Sequence, residues 1–124
     1  MASRQVSLLA AAAITVAFLS APASAMVYMV GDDAGWTLNY PATWTNDKTF
    51  RVGDTLMFMY PSGSHTVVEV GSEDFMACNV GHPVNSWSSG SDSVTLDKAG
   101  SRWFVCSVAE HCAQGMKLTI GVVG

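Results

Sequence analysis

Residues 101–123 read SRWFVCSVAEHCAQGMKLTIGVV, and this stretch is the most informative about the fold. Its two ends, 101–105 and 117–123, are rich in β-branched and aromatic residues, which predicts two strands joined by a loop. Every second residue leading into and along the later strand is apolar and belongs to one face: Met116, Leu118, Ile120 and Val122. That face is a candidate for the protein core.

The same pattern recurs outward along the chain after residue 25. Gly53-Asp54 and Ala99-Gly100 mark turns between predicted strands. The one predicted helical turn spans 72–77, with Ser72 as its side-chain cap. Since we find no repeat and no linker, the pattern predicts one all-β sandwich. The further predicted strands are 27–30, 49–52, 55–60, 66–70 and 93–96, with Leu56, Phe58 and Tyr60 on a second core face.

The first 25 residues read as a targeting segment. Arg4 precedes an apolar run, 6–19, which is followed by the small residues of 21–25. This is the pattern of a secretory signal peptide, because a membrane span needs about 20 apolar residues. We therefore predict a signal peptide at 1–25 and a single domain at 26–124.

The composition after residue 25 limits the kinds of partner that the protein is expected to bind. Its formal charge is −5, so nucleic acid is not an expected partner. A cationic protein partner is compatible with this charge, although such an excess is also ordinary for solubility. The end of the chain, 118–124, has no spacer and no second hydrophobic tail of the kind that a glycosylphosphatidylinositol anchor needs. We expect a secreted, extracellular protein of the apoplast or cell wall, with no membrane anchor.

Three cysteines follow residue 25, namely Cys78, Cys106 and Cys112, and this is an odd number for a secreted domain. Two of them can form a disulfide. The third thiol must be buried, partnered or bound to a metal, because an exposed thiol is open to oxidation outside the cell. The neighbouring residues favour a metal.

Cys106, His111 and Met116 follow one another at intervals of five residues. A loop can turn these side chains toward one point, whereas a straight strand would spread them over about 33 Å. His65, before the predicted strand 66–70, can add a second imidazole. Imidazole suits Cu(II) and soft sulfur suits Cu(I), and together they form the donor set of a blue copper site. We predict one copper ion held by His65, Cys106, His111 and Met116, and no catalytic residue.

With Cys106 on the metal, Cys78 and Cys112 remain for a disulfide, which would restrain the loop beside His111. Taken singly, the methionine would be core filler and His65 a surface histidine. Their combination with an unpaired thiol favours the copper site.

Other chemically active residues carry no comparable motif. His82 lies in a Gly/Pro loop and is interpreted as a surface histidine. No nucleophile is linked to a base, and no glycine loop is of the phosphate-binding kind. The tryptophans are interpreted as packing residues: Trp36, Trp44, Trp87 and Trp103.

Nearly all of the chain after residue 25 matches one known family. Tyr28-Met29-Val30-Gly31 with Gly35-Trp36 looks like its first strand and turn, and residues 50–60, FRVGDTLMFMY, are similar to its F-x-x-G-D-x-L-x-F-x-Y stretch. The chain resembles the phytocyanins, plant blue copper proteins, and most of all the plantacyanins. Six residues fall on the family's ligand and disulfide pattern: His65, Cys78, Cys106, His111, Cys112 and Met116.

The resemblance implies a cupredoxin-type Greek-key β-sandwich with copper near one end. Stellacyanin-like members carry Gln at the position of Met116, and nodulin-like members lack the ligands, whereas this chain keeps all of them. Two features depart from the family. The chain after residue 25 is acidic rather than basic, and Glu110 stands where Gly commonly precedes the loop histidine.

These observations predict a monomeric carrier of single electrons and not an enzyme, with an exposed imidazole edge of His65 or His111 as the route for electrons. The redox partner is not specified by the sequence. One alternative is an extracellular cell-wall signalling or recognition module in which copper is structural or dispensable. The other is a small oxidase or zinc hydrolase, which would usually keep an open metal position and a substrate pocket.

Overall fold

The computed structural model describes residues 24–124, and within that range eight strands form two mixed sheets. The strands are β1 (Val27–Met29), β2 (Phe50–Arg51), β3 (Thr55–Met59), β4 (Val67–Val70), β5 (Asn85–Trp87), β6 (Ser91–Thr95), β7 (Gly100–Val105) and β8 (Lys117–Val123). One sheet has the order β1-β3-β6 and the other β2-β8-β7-β4-β5. The β1–β3 and β2–β8 pairs are parallel, and all other pairs are antiparallel. The prediction of an all-β sandwich is confirmed. The predicted signal peptide lies almost wholly outside the described residues.

All seven predicted strands are present, but β5 was not predicted. Asn85 and Ser86 are polar and exposed, so the strand has no apolar alternation of its own. It forms because β4 offers an unpaired edge, with Val67 opposite Trp87 and Glu69 opposite Asn85. This strand is therefore a product of tertiary pairing.

The predicted helical turn is the helix α1 (Ser72–Ala77), and a short 3₁₀ helix spans Asp32–Ala34. The prediction of Ser72 as the cap is wrong. The capping position is Gly71, which has no side chain, and Ser72 is already the first residue of the helix. Acidic Glu73 and Asp74 do lie in the first turn, where the helix dipole favours negative charge.

The core lies between the two sheets and is formed by the faces that the alternation predicts. Leu56 and Phe58 of β3 are fully buried, and Tyr60 is buried just after that strand. Trp36 packs edge-on against Phe58, with ring centroids 5.1 Å apart. A second, smaller cluster joins the outer face of the larger sheet to Phe75 of α1. The predicted face of the last strand is buried throughout: Met116, Leu118, Ile120 and Val122.

One ion pair, between buried Glu69 and partly buried Arg102, lies within the larger sheet. Glu69 of β4 accepts two hydrogen bonds from the guanidinium of Arg102 on β7, at 2.7 and 2.8 Å, and one from the amide of Asn85 on β5 at 3.1 Å. The three groups tie together three neighbouring strands of the larger sheet.

Among residues 24–124, no helix has the length and apolar character needed to cross a membrane.

Candidate metal centre

Three of the four predicted ligands meet at one end of the sandwich. Cys106 follows β7, His65 precedes β4, and His111 lies in the loop between β7 and β8. The possible ligand atoms of these three residues all lie within 4.8 Å of one another. Cys106 is a free cysteine and is 1% exposed, whereas both histidines are only partly buried. The β4–β7 pairing brings together residues 41 positions apart in the sequence.

The spacing of the three donor atoms fits a metal ion of the first transition row. The Nδ1 atoms of His65 and His111 are 3.2 Å apart, and they lie 3.9 and 3.5 Å from the Sγ of Cys106. The circle through these three atoms has a radius of about 2.1 Å, close to the ~2.0–2.3 Å of metal bonds to imidazole nitrogen and thiolate sulfur. Two imidazoles and a thiolate around one point are the equatorial donors of a blue copper site.

The histidine segment is fastened to the cysteine segment by the residues next to the donors. The Ser107 amide donates to the Thr66 hydroxyl at 2.8 Å, and the two hydroxyl oxygens are 2.7 Å apart. The Trp36 indole N–H donates to the Thr66 carbonyl at 2.9 Å. Sequence reasoning missed these supporting roles, although Thr66 and Ser107 directly follow His65 and Cys106 in the chain. These hydrogen bonds hold His65 and Cys106 in fixed positions relative to each other before any metal binds.

Met116 is the fourth predicted ligand, and its main chain closes the loop. The Met116 amide donates to the His111 carbonyl at 2.9 Å, and the Met116 carbonyl accepts from the Cys106 amide at 3.1 Å. Its side chain is 0% exposed and belongs to the same core cluster as Cys106. A buried thioether beside the loop fits a weak soft donor.

A disulfide between Cys78 and Cys112 supports the loop from the other side. Cys78 caps the end of α1, and Cys112 directly follows His111. The Lys117 ammonium donates to the Phe75 carbonyl at 2.9 Å and lies 4.4 Å from the centre of the Phe75 ring. The helix is therefore joined to the loop at Cys112, the residue that follows His111, and to the start of β8 at Lys117.

The surroundings of His65 favour its neutral form. Burial, and to a smaller extent the neighbouring His111, lowers the pKa of His65. The Tyr60 ring lies 6.2 Å from the His65 ring, and its hydroxyl donates to the Asp92 carboxylate. Burial and that hydrogen bond raise the pKa of Tyr60 to about 12, so it stays protonated at neutral pH. A neutral imidazole is the form that binds a metal.

Glu110, which departs from the family pattern, has an unusual backbone. Its φ is 72°, in the left-handed region that glycine adopts at little steric cost. The commoner glycine at this position is therefore explained by the loop conformation. Glu110 is exposed, as is His82, whose interpretation as a surface histidine agrees with the structure.

Taken together, a buried thiolate and two imidazoles at one end of a two-sheet β-sandwich define a type 1 copper protein. Residues 36–116 match the family described as Plastocyanin-like domain, and the chain belongs to this family, as one of the plant blue copper proteins or phytocyanins. The chain is 44% identical over 105 residues to a blue copper protein of Pisum sativum; the match covers 84% of this chain and 56% of the pea protein. The resemblance inferred from the motifs is confirmed.

Solved structures agree with this assignment. Cucumber stellacyanin in its Cu²⁺ form superposes with a TM-score of 0.73 at 38% identity, over 82% of this chain and 98% of its own. Spinach plantacyanin superposes with a TM-score of 0.64 at 36% identity, over 71% of this chain and 93% of its own. The cupredoxin fold and one type 1 copper ion follow.

Proposed function

We propose that the protein carries single electrons, with copper held by His65, Cys106 and His111 and with Met116 as a weak axial donor. The observation that carries the proposal is the triangle of donor atoms, whose centre lies at bonding distance from all three. Bound copper supplies a couple between two oxidation states that differ by one electron.

The residues around the triangle determine how well that couple works. Hydrogen bonds from Trp36 and Ser107, both converging on Thr66, hold the donors in place, so little rearrangement accompanies a change of oxidation state. Burial of Cys106 excludes water from the thiolate. The two histidines are only partly buried, which gives an electron a short route between the site and the surface.

A recognition module with structural copper and a copper or zinc enzyme are the competing functions. An enzyme would require an open metal position, and Met116 at the axial position would partly close it. A recognition module would need no reversible redox change. The two competing functions therefore differ from a carrier in properties that can be measured.

Visible spectroscopy tests the proposal. We expect an intense thiolate-to-copper absorption in the oxidised protein, bleached by one reducing equivalent and restored by one oxidising equivalent. Cys106→Ser should abolish this absorption while the far-ultraviolet circular dichroism stays unchanged. A colour that persists in this variant would contradict the thiolate assignment, and a colour that cannot be bleached and restored would favour a structural copper.

We also propose that residues 1–25 are a signal peptide and that residues 26–124 form a secreted domain. The main-chain nitrogen of Met26 donates to the Asp54 carboxylate at 2.9 Å, and Asp54 is 3% exposed. Cleavage after Ala25 would convert that nitrogen into an ammonium group facing a buried carboxylate, which would make a charge-assisted hydrogen bond.

N-terminal sequencing of the protein recovered outside plant cells tests the cleavage site, and Met26 is the expected first residue. Retention inside the cell, or a start several residues away, would contradict the proposal.

The acidic surface favours a cationic redox partner and a monomer. Association that slows with added salt would support such a partner.

A further inference from the structure

We infer that the outer face of the three-stranded sheet carries a second copper site, selective for Cu(I) and built from the thioethers of Met29, Met57 and Met59. We call these three residues the methionine row. It is separate from the type 1 site and from Met116.

Strand pairing places the three methionines side by side. Met29 of β1 is directly opposite Met57 of β3, although 28 positions separate them in the sequence. Met59 lies two residues beyond Met57, on the same face of the same strand. The alternate residues of β3, Leu56 and Phe58, are fully buried, so the methionine row belongs to the opposite, outer face.

The methionines of the row are available to solvent. Met29 is 43% exposed and Met59 40% exposed, and Met57 between them is partly buried. None of the three belongs to a core cluster of the described residues. Opposite Met57 and Met59 on β6 are Ser93 and Ser91, the polar residues expected on a solvated face. Packing of the core therefore does not explain why methionine occupies these three positions.

The geometry allows the three sulfurs to converge on one ion. Neighbouring strands are about 4.8 Å apart, and residues two apart on one strand are about 7 Å apart. Methionine is unbranched with three rotatable bonds, so its sulfur can reach a point between such neighbours. Met57 is the central residue, adjacent to both others, and its sulfur is the one that the site cannot lose.

The chemistry of the donors selects the ion. A thioether is a soft, neutral donor that favours Cu(I), while imidazole and carboxylate favour harder ions. It has no proton to release, so binding should be nearly independent of pH between about 5 and 8, unlike binding at a histidine or cysteine site. Since copper is the cofactor of this protein, Cu(I) is the soft ion that the protein meets during loading or reduction.

Silver(I) is a suitable probe because it resembles Cu(I) and does not change oxidation state under these conditions. Oxidised, copper-loaded protein labelled with ¹³C at the methionine methyl groups would be titrated with Ag⁺ in chloride-free buffer. We expect one Ag⁺ per chain, an unchanged blue absorption, and shifts of the methyl signals of Met29, Met57 and Met59. The Met76 methyl, 78% exposed and distant in the fold from the row, should not move.

Met57→Leu removes the central sulfur but keeps an apolar side chain of similar size. We expect at least tenfold weaker Ag⁺ binding in this variant and unchanged binding in the matched variant Met76→Leu, with both retaining the wild-type unfolding temperature. Anaerobic titration of reduced protein with Cu(I) should give the same ranking.

Equal Ag⁺ binding by Met57→Leu and wild type, or no Ag⁺ binding by the copper-loaded wild type, would overturn the inference. If a protein partner bound this face and Met57→Leu retained that binding while no Ag⁺ was taken up, the row would be an apolar docking surface instead. If the oxidised, copper-loaded protein showed no blue absorption, the proposed electron-transfer function would be contradicted. The Ag⁺ result at the methionine row would not be affected by that outcome.

Discussion

Met116 is hydrogen-bonded through its main chain to His111, with its amide nitrogen 2.9 Å from the His111 carbonyl oxygen. Its carbonyl oxygen in turn accepts from the Cys106 amide at 3.1 Å. The three residues spaced by five in the sequence are therefore joined in one closed loop. Changes at any of them should act on the metal site as a unit.

Met116→Gln tests the axial position. An amide oxygen is a harder donor than a thioether and favours Cu(II), so we expect a lower reduction potential and a retained blue colour. A tenfold change in relative affinity for the two oxidation states corresponds to ~59 mV, and we expect a shift of at least this size. Voltammetry measures it, with the exposed Met76→Gln as the matched control. An unchanged potential would mean that Met116 is not an axial donor.

Removal of copper should leave one titratable thiol per chain, that of Cys106. The thiol is 1% exposed, so it should react slowly in folded protein and fast in denaturant. Peptide mapping without reductant should recover Cys78 linked to Cys112. A recovered link between Cys106 and Cys112 would be incompatible with a thiolate ligand.

The double substitution Cys78→Ala with Cys112→Ala tests the support of the loop. The cysteines are 34 positions apart, and loss of a cross-link closing such a loop costs roughly 4 kcal/mol of stability in the chain-entropy model. Because Cys112 follows His111, we also expect faster loss of copper to a chelator. Urea unfolding of the copper-free protein separates the two effects. Stability near that of wild type would show that other contacts hold the loop.

Glu110 is expected to affect stability through its strained backbone and the reduction potential through its charge. A pair of variants can separate these two effects. Glu110→Gly should remove the strain of a non-glycine residue at φ 72° and raise stability by about 1 kcal/mol. Glu110→Gln keeps the strain and removes only the charge, so its stability should change little. Both should raise the reduction potential at low salt, since a carboxylate favours Cu(II), and the shift should shrink as salt is added. A potential that neither variant changes would mean that the carboxylate points away from the metal.

The Glu69–Arg102 pair should make stability depend on pH. Burial acts to raise the pKa of Glu69, but hydrogen bonds from Arg102 and Asn85 outweigh it and leave the pKa below its usual value of 4.5. The stabilisation is therefore present above that value and is lost as the pH falls through the lower pKa of the folded state. Glu69→Gln should cost about 2 kcal/mol at pH 7, because the partly buried Arg102 guanidinium loses its charged partner and keeps only a neutral acceptor.

Urea unfolding at pH 7 and at about pH 3 measures this dependence, and the difference between wild type and Glu69→Gln should narrow in acid. Asp97→Asn is the matched control. Asp97 is 73% exposed, and its carboxylate lies as far as 4.0 Å from the Arg102 guanidinium. Removal of its charge should therefore cost less than ~1 kcal/mol of stability. A difference that stays constant with pH would mean that the carboxylate is not the titrating group.

Features that depend on neighbours along the chain could be predicted from the amino-acid sequence. Alternation with a period of two predicted the buried face of β8, and the spacing from Cys106 to Met116 predicted the ligand loop, because both depend only on local geometry. Long-range pairing decided the rest. It placed His65 beside Cys106, formed β5 on the edge of β4, and aligned Met29 with Met57. The left-handed backbone of Glu110 likewise follows from closing the loop. No short window of sequence contains these contacts, because each depends on which strands become neighbours when the two sheets close on one core.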